Sequence, residues 1–177
     1  ENKKIIKTET PVFSPGEPVT DIEGNTYPTV RINDQVWMAE NLETVTYANG
    51  TPIPCPGTDN TAWENNTDGA YAWHGNDIKN KGPYGALYNW AAVKNPNGLC
   101  PDGWHVPFDE EWQILVDYLG GDDLAGGPMK ATITDPAPQP RWNKPNSGAT
   151  NSSGFNGLPA GLRRSNGTFR EIGPYGA

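Results

Sequence analysis

Long apolar runs are missing from this chain of 177 residues. No stretch approaches the roughly 20 residues that a membrane-crossing helix requires, so the chain carries no transmembrane segment of that kind. Basic residues are few: 13 Lys and Arg stand against 21 Asp and Glu, for a net charge of −8. That balance argues against nucleic acid and anionic lipid as partners, because both need clustered cations. Cysteine is limited to Cys55 and Cys100, which permits one disulfide and leaves the compartment open. Neither has a second cysteine at zinc-finger spacing, and only His74 and His105 could assist them, so a His/Cys metal centre is not expected. A Gly-x-Ser-x-Gly elbow is absent, and Gly120, Gly121, Gly126 and Gly127 follow a helical pattern where a phosphate loop would open one.

Glycine (21), proline (18) and tryptophan (7) are abundant while Leu, Ile, Val and Phe are sparse. This mixture points to one loop-rich domain whose core leans on large aromatic rings. Residues 1–18, punctuated by proline, read as an N-terminal tether, and the domain proper is expected over 19–177.

From Val19 onward short β-type pieces alternate. Asp21 to Asn25 reads as a turn, Thr29 to Ile32 as a strand, Asn33-Asp34 as a tight turn, and Gln35 to Met38 as the returning strand. A long segment rich in Gly, Pro, Asn and Asp follows, read as an ordered loop that carries Trp63, Tyr71 and Trp73. Helical spacing then recurs twice. "YGALYNWAAV" (84–93) sets Leu87, Trp90 and Ala91 on one face, and "DEEWQILVDYLGG" (109–121) sets Trp112, Leu115, Val116 and Leu119 on one stripe. Both Trp90 and Trp112 are therefore expected in the core. Asp109, Glu110 and Glu111 favour the positive end of the second helix, and Asp109 is expected to cap it. Asn166-Gly167 is the strongest hairpin signal in the chain.

Several clusters have the residue types of a functional site. Acidic residues Asp59, Glu64, Asp68, Asp77, Asp122 and Asp123 lie in loops, with Asp122 and Asp123 the candidate calcium ligands. None follows the twelve-residue calcium loop, so no cofactor is expected apart from a possible calcium ion. Cys100 and His105 resemble a thiol–base pair but lack a nameable third partner, which favours a structural histidine. The loop from Asp122 to Asn151 is the binding candidate. Trp142 offers a face for stacking, Arg141 offers donors, and Asn143 and Asn151 offer two-way amides suited to hydroxyl-rich ligands.

Four motifs in order, "VWMAENL" (36–42), "YGALYNWAAV" (84–93), "CPDGWHVPFDEEWQIL" (100–115) and "GFNGLPAGLR" (154–163), resemble the Fibrobacter succinogenes major paralogous domain over about residues 20–177. That family is common in surface and secreted proteins of Bacteroidetes-like bacteria. The resemblance implies an α+β, C-type lectin-like fold: two helices flanking a twisted, mainly antiparallel sheet with long ordered loops. Trp104 and Val106 would then be a strand entering the core. It also implies export, an extracellular or outer-membrane location with a lipid anchor as one form, and a family whose molecular function is mostly unassigned.

Three functions follow as expectations. The leading one is a non-catalytic recognition or adhesion module for a glycan or a cell-surface protein. The second is an enzyme akin to formylglycine-generating oxidases, whose reactive cysteine pair is not recognisable here. The third is a purely structural surface module. Where the family continues with further strands and a cysteine, this chain ends at Ala177, so the last strands are expected to be lacking and Cys55–Cys100 is the one intrachain bridge left. The Glu-Pro-Asn and Trp-Asn-Asp motifs of calcium-dependent lectins are absent, so binding is expected to survive chelation.

Overall fold

A computed structural model describes residues 13–134, 137 and 140–174. Its central element is an antiparallel sheet in the order β1 (Phe13–Thr20), β2 (Thr26–Ile32), β3 (Gln35–Met38). The first turn is closed by Asp21, whose carboxylate accepts from the backbone N–H groups of Glu23 and Asn25 at 2.9 Å each and from the Tyr27 hydroxyl at 2.7 Å. The second is the expected two-residue hairpin: Ile32 pairs with Gln35, and Asn33 takes φ 54°, a left-handed conformation that asparagine tolerates. β1 starts at Phe13, so the sheet reaches into the segment expected as a tether. The reading missed this because Pro15, Gly16 and Pro18 are poor strand formers. They survive because β1 is an edge strand, and its register shifts between Gly16 and Val19.

The longest helix among the described residues, α4 (Asp109–Tyr118), packs on the sheet face that carries Val30, Ile32 and Trp37. Leu115 and Leu119 are buried with those three, as the stripe predicts, and Phe13, Tyr118 and Phe155 close the cluster. Each such side chain removed from water contributes about 1.5–3 kcal/mol. Phe108, and not Asp109, sits at the cap position; its backbone N–H is satisfied at 2.9 Å by the Glu111 carboxylate reaching back from the third helical position.

The helix expected over 84–93 does not form as one piece. The chain makes α2 (Lys81–Tyr84), then β5 (Leu87–Tyr88) paired with β4 (Tyr71–Ala72), then α3 (Trp90–Val93). Gly85 is the break, with φ 68°, and a Cβ there would lie 2.8 Å from the Leu42 carbonyl oxygen. Helical spacing therefore does not carry from Leu87 to Trp90, and Trp90 lies 72% exposed on a helix that restarts with Asn89 as its cap. Tyr47, Ile53, Ala92 and Leu99 form a second core cluster beneath this segment.

A third cluster joins α1 (Asn60–Glu64) to the hairpin of β6 (Leu162–Arg163) and β7 (Phe169–Arg170), which turns at Asn166-Gly167 as expected. Trp63 is its centre, and Arg163 lies over the Trp63 ring at 4.2 Å. A further short helix, α5 (Gly126–Met129), lies in the segment leading to Trp142. Helices and small antiparallel sheets thus share one chain, an α+β arrangement.

Candidate functional site

An open groove of about 1010 Å³ runs along the edge of the main sheet. β3 and the turn after it border it with Val36, Trp37 and Met38; α2 and β5 contribute Tyr84 and Tyr88. Gly103–Pro107, Trp112 at the start of α4, and Phe155 complete it. A smaller cavity of about 400 Å³ adjoins, lined by Asp21, Thr44 and Thr46, and Cys100 borders both.

Aromatic rings give the groove its character. Trp37 and Trp112 lie 4.7 Å apart between ring centroids, and Phe155 packs against both at 5.8 and 5.9 Å. Trp37 is buried but Trp112 keeps 37% of its surface open, so the second ring is a floor exposed to whatever enters. The expectation of a fully buried Trp112 is corrected here: it occupies the first turns of α4, at the rim of the core. Polar groups are interspersed. Gln35 donates to the Glu111 backbone carbonyl at 3.0 Å and Asn41 to that of Tyr84 at 2.9 Å, which fixes the groove's walls.

The opening of α4 carries the groove's titratable pair. His105 Nε2 lies 2.9 and 2.8 Å from the two carboxylate oxygens of Glu111 and donates to them, while its ring stacks on the exposed Phe108 at 5.4 Å. The Phe108 backbone N–H and then the His105 ring hold the Glu111 carboxyl below its usual range. His105 is thus a hydrogen-bonded part of the helix start. Trp104 and Val106 flank it in a segment that is neither strand nor helix, so the expected strand does not form. Its physical reason is plain: a strand needs a neighbour, and no described residue supplies one.

Cys55 and Cys100 are both free thiols, which corrects the expected bridge. Cys55 is exposed beside Tyr71, whose hydroxyl is pushed up to about 12 by burial and then by this thiol. Cys100 is partly buried, and burial pushes its thiol up to about 11.

The loop residues singled out from sequence are placed differently from one another. Trp142 is half-buried; its indole N–H donates to the Gly157 carbonyl at 3.0 Å and Lys130 covers its ring at 4.5 Å. Asn151 turns at φ 48° and spends its amide on Asn156, accepting from that backbone N–H at 2.9 Å. Asn143 is exposed, with its backbone N–H bonded to the Gly173 carbonyl at 3.1 Å, and Arg141 lies near the Tyr84 hydroxyl. Asp122 and Asp123 are exposed in the turn after α4. Among the described residues no three His, Cys, Asp or Glu side chains gather as a metal would require. Sequence reading missed Trp37, Tyr84 and Phe155 as groove residues. The signal that pointed to them was the clustering of rings within the motifs at 36–42, 84–93 and 154–163.

This is a mixed α+β domain with an aromatic groove at the edge of its main sheet. A family model, the Fibrobacter succinogenes major domain, matches residues 30–177, and the chain belongs to that family. No curated protein and no solved structure matches it.

Proposed function

We propose that the chain is a non-catalytic recognition or adhesion module of a bacterial surface or secreted protein, built on a C-type lectin-like architecture, and that its ligand lies in the groove beside β3. The observation that carries this reading is the tryptophan pair: Trp37 is anchored in the core and holds Trp112 with one side open. Aromatic anchors in a concave site are what glycan and protein recognition share. An extracellular or outer-membrane setting, lipid-anchored or secreted, belongs to the same proposal, and no described helix is long and apolar enough to cross a membrane.

The test is a screen of the purified chain on glycan and peptide arrays, repeated with Trp112→Ala and Trp142→Ala. The proposal expects a ligand whose affinity falls at least tenfold, about 1.4 kcal/mol, with Trp112→Ala and little with Trp142→Ala. The reverse pattern would move the site to the loop at 122–151, and the absence of any ligand would favour a purely structural module.

A further inference from the structure

The two edges of the main sheet are built differently. β1, on one side, carries two prolines, a glycine and a register shift, all devices that discourage another strand from pairing there. β3, on the other side, reads Gln-Val-Trp-Met and has no proline, no lysine and no irregularity.

Its hydrogen-bonding groups are also available. Ala39 N–H donates to the Pro28 carbonyl at 2.9 Å, one step beyond the Met38–Thr29 pair. Antiparallel ladders alternate bonded and non-bonded pairs, so Trp37 and Gln35 bond to β2 while the N–H and C=O groups of Val36 and Met38 point away from it. Among the described residues none bonds to these outward groups. The groove follows this edge round: Trp37 from one sheet face and Val36 and Met38 from the other all border it.

We propose that β3 is an acceptor edge, and that the groove seats an extended strand of a partner protein, which adds to the sheet as its fourth strand. Resting on the recognition reading above, this names the ligand class within it. The main-chain groups of Val36 and Met38 supply the affinity, and the aromatic floor receives alternate apolar side chains. Charge specifies the rest of the partner. Glu17, Asp34, Glu40 and Glu111 border the groove against one guanidinium, Arg31, and His105 is taken up by Glu111. The incoming strand therefore alternates apolar residues with Lys or Arg. A second copy of this chain, at −8 net charge, brings the wrong sign to that rim.

A ten-residue peptide alternating valine and lysine, added to the 177-residue chain, is the probe. Hydrogen exchange by NMR reads the amides of Val36 and Met38, and calorimetry reads affinity. Binding should slow exchange at both amides. Val36→Pro, which removes an outward donor and leaves the ladder to β2 intact, should weaken binding at least tenfold. The charge reversal Asp34→Lys with Glu40→Lys, which touches no backbone group, should do the same, with the melting temperature of each variant checked.

A peptide that fails to bind, or that binds Val36→Pro and the charge-reversed chain as tightly as the native one, overturns the strand inference. So does an oligosaccharide that binds in a Trp112-dependent way without protecting Val36 and Met38, although that result leaves the recognition proposal standing. Loss of every ligand from the groove overturns both.

Discussion

Trp37 and Trp112 meet at 4.7 Å, one on the central sheet and one on the first turns of α4, and the two rings divide the roles of the site between them. Trp37 is 7% exposed and belongs to the core; Trp112 is 37% exposed and belongs to core and groove at once.

The stability costs should separate accordingly. Trp37→Ala is expected to cost about 3–5 kcal/mol, Trp112→Ala about 2 kcal/mol, and Trp90→Ala at most about 0.5 kcal/mol, measured by urea unfolding. A larger loss at Trp90 than at Trp37 would mean that the chain between 84 and 93 is wrongly placed.

How far these positions were legible in the sequence differs from one to the next. The turns at Asn33-Asp34 and Asn166-Gly167 and the helix at 109–118 all follow from local chemistry, and the structure has them. The break at Gly85 does not, because its cause is the backbone of Asn41 and Leu42, more than forty residues earlier in the chain. Likewise the groove draws residues from Gly16 to Ala160, and no spacing rule connects them. Trp142 looked free for stacking because the sequence cannot show that Gly157 accepts from its indole and Lys130 lies on its ring.

Arg163 should be a structural keystone of the third cluster. It is 9% exposed, lies 4.2 Å from the Trp63 ring and 4.9 Å from that of Phe169, and donates to the Gly167 and Gly57 carbonyls and to Asn60. Losing several charge-assisted bonds and both ring contacts, Arg163→Ala is expected to cost about 3 kcal/mol, and Arg163→Lys most of that, since an ammonium cannot reproduce the planar fork. A chemical denaturation curve for Arg163→Lys that overlays the native one would contradict this.

The two thiols should react at different rates. Cys55 is exposed, whereas burial raises the Cys100 thiol to about 11. At pH 8 a thiol reagent is expected to label Cys55 first and Cys100 at least roughly tenfold more slowly until the chain is unfolded. Equal rates, or no titratable thiol under native conditions, would contradict the placement.

Acid should act through Glu111. The native state holds its carboxyl below the usual range, so its contribution is fully present above the unfolded value of about 4.3 and is lost as pH falls through the lowered native value. The difference in melting temperature between the native chain and Glu111→Gln is therefore expected to be largest at neutral pH and to shrink on acidification towards pH 3. A gap that does not change with pH would show that the bonds from Phe108 and His105 are not made in solution.

The central claim is that recognition takes place at the β3 groove, and residue-resolved hydrogen exchange of the chain with and without a bound ligand tests it most directly. The account predicts slowed exchange at Val36 and Met38 and a shifted Trp112 indole resonance, with the loop from Asp122 to Asn151 unchanged. Protection confined to that loop around Trp142, with β3 exchanging as before, would contradict it.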